Sequence, residues 1–191
     1  QYAAEQYQAG KAGYIMTTGD LVDDLPTTSI APYQWSVADK AMQYVEAVGM
    51  PNGLVSGNHD VGTLNATDYT NTAPNADYSR FWETFPASRY ENTRWYGGSL
   101  NNNASHYDLI TIGNVDFIML FLGYGVEATD ETIAWANDVL KTYPHRTAIV
   151  ATHQYLDALD ADYKNRGKLI FDTIVDPNPN VKMVVCGHDD G

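Results

Sequence analysis

Apolar, β-rich runs recur along the chain: GYIMTT (13–18), GLVS (53–56), HYDLITIG (106–113), VDFIMLFL (115–122), TAIVAT (147–152) and VKMVVC (181–186). The runs at 115 and 181 are nearly continuous, as in strands buried on both faces. Gly113-Asn114 between two of them predicts a tight hairpin. Between the runs the spacing changes to helical. Residues 36–48 place Ala38, Ala41, Val45 and Val48 on one face, with Ser36 positioned to cap the start. Residues 129–143 carry Asp130 and Glu131 in the first turn and Lys141 near the end, which suits the helix dipole; the inward stripe is Ile133, Ala136, Val139 and Leu140. A third helix is predicted over 161–175, with Leu169, Ile170 and Ile174 inward, and short ones at 3–8 and 78–85. Residues 62–104 otherwise read as a long irregular stretch rich in Asn, Thr, Tyr and Gly, a length usually kept for function. Strands alternating with helices predict a largely parallel α/β sheet, to which the hairpin adds antiparallel pairing.

With 191 residues, 44% of them hydrophobic and no linker-like shift in composition, the chain is expected to form one domain, 1–191. No apolar run approaches the ~20 residues of a membrane span. The net charge of -13 argues against non-specific binding to nucleic-acid backbones or anionic lipid, both of which need a basic face. It leaves phosphate substrates open, because bound cations can supply the local positive charge. One cysteine, Cys186, rules out an internal disulfide; in a strand it reads as an inert core residue. The start at Gln1 suggests a processed or excised piece. The Tyr- and Asn-rich, Lys-poor composition points to an extracytoplasmic setting. Asn65 and Asn103 open glycosylation-type triplets, a pattern that arises often by chance.

In open α/β sheets ligands gather at the carboxyl ends of strands. That rule selects Gly19-Asp20, Gly57-Asn58-His59-Asp60, His153 and Gly187-His188, the last followed by Asp189 and Asp190. Each fragment alone is weak, since a strand-terminal His is more often satisfied structurally. Together they place three of the chain's five histidines at predicted strand ends. Carboxylates can bridge two cations, and imidazole and amide oxygen complete shells for Zn, Fe or Mn. A histidine beside such cations, unbound, can serve as an acid.

The set GDLVD (19–23), GNHD (57–60), His153 and GH (187–188), in that order, resembles the calcineurin-like metallophosphoesterase family over nearly the whole chain. The family pattern is D-x-H, G-D-x-x-D, G-N-H-D/E, H and G-H-x-H. The resemblance implies two facing, mostly parallel or mixed β-sheets flanked by helices, a four-layer αββα fold, incomplete here at the N-terminus. It implies hydrolysis of phosphomono- or diesters, small or polymeric, by a metal-bound hydroxide, with one or two divalent ions (Mn, Fe or Zn). Asp20 would bridge the metals, and Asn58, His153 and His188 would complete one shell. His59 would face the substrate, Asp60 would orient it, and Asp23 would support from outside the ligand set.

Two positions depart from the pattern. Asp190 stands where the family has its last histidine, and two readings stand equal: a substitute ligand, or a solvent-facing carboxylate with the first metal lost. No D-x-H precedes Gly19; Gln1 could close a D-x-Q variant whose Asp lies before the chain. These departures favour a rival reading, a non-catalytic relative that keeps the fold as a binding module. A third is a mononuclear hydrolase acting on another bond. Among other residues, His145 and His106 read as loop and strand-edge histidines. Arg89 and Arg94 could hold a phosphate oxygen or lie on the surface. Trp82, Phe85, Trp95 and Tyr96 could pack the long loop or line a pocket.

Overall fold

The structure, a computed structural model, describes residues 1–23, 28–62, 76–157, 163 and 165–188. It holds two sheets. β1 (Ile15–Met16) and β2 (Asn52–Gly53) form a short parallel pair; β1 takes two residues of the run 13–18, and β2 meets the run 53–56 only at Gly53. The second sheet has the order β3-β4-β5-β6-β7: Tyr96–Leu100, Ser105–Ile112, Val115–Leu122, Thr147–Thr152 and Val181–Val185. Its first three strands are antiparallel and its last three parallel. The hairpin forms where expected, with Ile112 opposite Val115 and Gly113 at φ 61°.

Three hydrophobic clusters define the layers. On the outer face of the large sheet, Ile118, Leu120 and Val150 pack against Ala136 and Leu140 of α5 (Asp130–Thr142) and Ile170 of α6 (Asn165–Ile170). Between the sheets lie Val55, Ile110, Met119, Phe121 and Ala151, with Tyr14 and Met16. Beyond the small sheet, α1 (Tyr2–Gln8) and α2 (Ala31–Glu46) pack with α3 (Ser79–Thr84), and Trp35, Phe81 and Phe85 form an aromatic knot. Helix, sheet, sheet, helix is the four-layer arrangement. Among the described residues no helix is long and apolar enough to cross a membrane.

Several local expectations shift. α2 starts five residues before Ser36, because Pro32 is tolerated in a helix's first turn; Ser36 Oγ instead donates back to the Tyr33 carbonyl within the helix. Thr129 is the cap of α5, accepting from the Thr132 N–H at 3.2 Å. α6 ends in a π-helical turn, Phe171–Val175. The described part of the 62–104 stretch is far more regular than its composition suggests: it supplies α3, α4 (Ala87–Tyr90) and the edge strand β3. Asn103 is buried, its amide donating to the Phe85 carbonyl at 3.0 Å and accepting from Tyr96 Oη, so its role is structural; Asn65 lies outside the described residues. Arg89 is committed to Asp39 and Glu46 at 2.7 and 2.8 Å. His106 is no edge residue: it is buried between Phe121 and Tyr96, and burial pushes its imidazole down to about 3.

Beside His106 on β4 lies Asp108, fully buried, with Tyr14 Oη donating to one carboxyl oxygen at 2.5 Å. Burial pushes its pKa up to about 8, against the pull of the Tyr14 bond. Between the unfolded value near 4 and that pKa, the folded chain holds a proton that the unfolded chain has lost. Stability therefore falls as pH rises through this window, by up to about 1.4 kcal/mol per unit, and levels off above it. Asp108→Asn keeps the acceptor for Tyr14 and removes the titration. It is expected to flatten the decline of Tm between pH 5 and 8, with little gain at pH 4. Thermal melts across that range check this, and an Asn variant as pH-sensitive as the wild type would mean that Asp108 does not fold as the acid.

Candidate metal centre

Four chain segments meet at the carboxyl ends of β1, β2, β6 and β7. Asp20 follows β1, Asn58 follows β2, His153 follows β6 and His188 follows β7. Asp20 and His188 both adopt left-handed backbone, φ 51° and 73°, which L-residues avoid unless the surroundings impose it. Each follows a glycine. Gly19 has φ 96°, and a Cβ on it would lie 2.4 Å from His153 Nδ1, so a side chain there is excluded by the ligand it faces.

The polar atoms converge tightly. His153 Nε2 lies 2.9 Å from Asn58 Oδ1, 3.3 Å from Asp20 Oδ2 and 3.0 Å from His188 Nδ1, which is itself 2.9 Å from Asn58 Oδ1. His153 Nδ1 is 2.7 Å from the Thr18 carbonyl oxygen. A carbonyl can only accept, so Nδ1 carries a proton and the neutral ring turns its Nε2 lone pair inward. A carboxylate oxygen, an amide oxygen and two imidazole nitrogens thus crowd around one point with too few protons to share among them. A cation resolves that crowding, and mixed N/O donors suit Mn, Fe or Zn. Burial disfavours charge on Asp20, but His153 and the His59 main chain outweigh it and hold its carboxyl below the usual range. Burial likewise works against His153, and Asp20 overrides it, raising the imidazole. Asp20, His153 and His188 are the one group of three His, Cys, Asp or Glu side chains among the described residues whose ligand atoms all lie within 4.8 Å.

The supporting residues differ from expectation. Asp60 does not hold the ring of His59. It is fully buried and accepts from the N–H groups of Gly57 at 2.7 Å and Val22 at 3.1 Å, which ties the GNHD turn to the GDLVD turn. Burial pushes its carboxyl up to about 6 although these N–H groups favour the anion. The ring of His59 is held instead by Asp23, through the main-chain carbonyl, which contacts Nδ1. The exposed Asp23 carboxylate takes no part in that contact, and the Asp23 N–H bonds Gln34 Oε1. The His59 N–H donates to Asp20 Oδ1 at 3.1 Å. Asp190 lies outside the described residues. Gln1 is exposed and bonds Glu5 on α1, so its side chain is engaged away from the donor cluster. His145 is exposed in the loop before β6.

One aromatic residue at the centre escaped the sequence reading. Tyr124 stacks on His188, centroids 6.3 Å apart, and meets His153 edge-on at 5.5 Å. Its position, just past the carboxyl end of β5 in Gly123-Tyr124-Gly125, was the signal: the strand-end rule applies to β5 as much as to its neighbours.

A four-layer α/β fold thus brings an Asp, an Asn and a His pair together at its strand ends as a candidate metal centre. Residues 3–190 match the calcineurin-like phosphoesterase family, and the chain belongs to that family. It is also 43% identical over 175 residues to the uncharacterized protein YvnB of Bacillus subtilis (strain 168). That match covers 92% of this chain and 12% of YvnB, so the chain spans about an eighth of that relative's length.

Proposed function

We propose that this chain hydrolyses phosphoesters at the Asp20–Asn58–His153–His188 centre. The observation that carries the reading is the convergence of four donor atoms, with His153 locked by the Thr18 carbonyl to present Nε2. A divalent cation bound there supplies Lewis acidity to a phosphoryl oxygen and activates water. The protein's part is orientation. Thr18 holds the His153 tautomer, the His59 N–H fixes one oxygen of Asp20 so that the other faces the centre, and the buried Asp60 locks the two turns together. His59 donates from Nδ1 to the Asp23 carbonyl, so it acts as an acid in its doubly protonated form, through the proton on Nε2. As water oxygen joins phosphorus and the ester bond breaks, that proton goes to the leaving oxygen, the water releases one proton to solvent, and solvent returns one to Nε2. Neither ester class is favoured by the described residues. Asp190 is proposed as a substitute ligand in place of the family's last histidine.

The test is metal content by elemental analysis after purification with Mn and Zn and without chelator, alongside hydrolysis of p-nitrophenyl phosphate and bis(p-nitrophenyl) phosphate. At least one ion per chain and turnover that a chelator abolishes are expected. A folded protein without metal would overturn the reading, whereas bound metal without turnover on any ester would support the binding-module alternative.

A further inference from the structure

Behind the donor cluster lies a buried ion pair that the proposed chemistry does not use. Arg166 of α6 donates from Nη1 to Glu127 at 3.0 Å, and both side chains are almost fully buried. Burial works against the Glu127 anion and raises its pKa, while Arg166 pulls it back. Such a pair is weak evidence for stability, because desolvation cancels most of the attraction. Its placement is specific, however. The Arg166 guanidinium sits 4.9 Å from the centroid of the Tyr124 ring, and that ring is the one stacked on His188 and edge-on to His153.

Three separate segments are held in register to build this stack. Tyr78 Oη donates to the Tyr124 carbonyl at 2.8 Å and contacts Ser56 Oγ, which in turn accepts from the Tyr124 N–H at 3.1 Å. Gly125, at φ 85°, turns the chain between Tyr124 and Glu127. At Gly167 a Cβ would lie 1.9 Å from the Tyr155 carbonyl oxygen, so only glycine lets α6 approach closely enough to deliver Arg166.

We propose that Tyr124, backed by the Arg166–Glu127 pair, is a positioning residue that fixes the ring planes of His153 and His188 so that their nitrogens point at one cation. The Thr18 carbonyl orients one edge of His153. His188 reaches the cluster from left-handed backbone, φ 73°, which is itself strained. Tyr124 supplies a wall against both rings, and the buried cation over its ring holds it there.

This inference rests on the metal-binding reading, and its test separates the two. Mn²⁺ affinity by titration calorimetry is compared for the wild type, Tyr124→Phe, Tyr124→Leu and the double variant Glu127→Gln/Arg166→Met, with Tm and metal-free imidazole NMR spectra as companions. Phe keeps the ring and is expected to keep Mn²⁺ affinity. Leu is expected to weaken it about 10- to 100-fold, and to broaden or shift the His153 and His188 ring signals even without metal. The double variant removes both buried charges together, avoiding the unpaired charge of a single change, and is expected to lose affinity as Leu does. A Leu variant with wild-type affinity and unchanged ring signals would overturn the proposal. So would losses in Leu or in the double variant that follow Tm alone and appear equally in Phe. A wild type that binds no Mn²⁺ would instead remove the metal reading, and the metal-free spectra would still decide whether Tyr124 orders the two rings.

Discussion

Replacing His59 with Ala is expected to lower kcat by about 10²- to 10⁴-fold, the usual contribution of a positioned acid, while the bound metal stays nearly unchanged. The separation follows from the contacts. The His59 ring is held by the Asp23 carbonyl, outside the set of atoms that surround the cation position. Its link to Asp20 is the main-chain N–H, which Ala retains. The loss should therefore grow as the leaving group worsens. An alkyl phosphate ester needs a proton on its departing oxygen, and p-nitrophenolate needs little help. Steady-state kinetics on both substrates, with metal content measured in the same preparation, check this. Equal loss on both would remove His59 from the acid role, and a parallel loss of metal would make it a structural support.

The second large effect is expected from the smallest change. A Cβ added to Gly57 would lie 2.2 Å from Asp20 Oδ1 and 2.4 Å from Asp20 N. The second contact is with backbone, which cannot rotate away. Either the GDLVD turn or the GNHD turn must move, and the bonds of Asp60 to Gly57 and Val22 join those two turns. Gly57→Ala should cost about 1–3 kcal/mol of stability, as overpacking does. It should also weaken metal binding about 100-fold or more, because Asp20 and Asn58 can no longer face the same point. Gly10→Ala is the control: Gly10 also has positive φ, 69°, but a Cβ there meets nothing within 4 Å. It should lose a little stability and bind metal normally. Metal titration and thermal melts of the two variants distinguish the cases, and equal metal affinity would mean that the two turns adjust without cost to the site.

Both predictions depend on contacts between residues that are distant in sequence, and that divides what could be read from the chain alone. The four later apolar runs, the hairpin at Gly113-Asn114 and the helix opened by Thr129 follow from short-range spacing and turn chemistry, and they stand in the fold. The positions of Asp20, Asn58, His153 and His188 were legible too. In an α/β sheet a strand's carboxyl end is a place in space as well as in sequence, so four strand-end motifs predict one cluster. Family resemblance rests on the same residues, which is why the motif order and the geometry agree.

The supporting contacts were not legible. His59 and Asp60 are neighbours in sequence, and spacing alone suggests that one orients the other. The turn points their side chains apart: Asp60 is buried against the main chain of residues 22 and 57, and His59 leans on the Asp23 carbonyl. Main-chain partners leave no mark on residue type, so no motif records them. The strand β3 hides in a Gly- and Asn-rich segment because pairing with β4, rather than propensity, makes it a strand. Tyr124 and Arg166 lie 42 positions apart and meet only because α6 packs close at Gly167. The sequence by itself determined the layered α/β class and which side chains reach the strand ends, since periodicity and strand-end position are local properties. Only the tertiary structure decided which atoms hold those side chains, because tautomer, ring plane and buried charge are set by whatever the rest of the chain brings within about 3–5 Å.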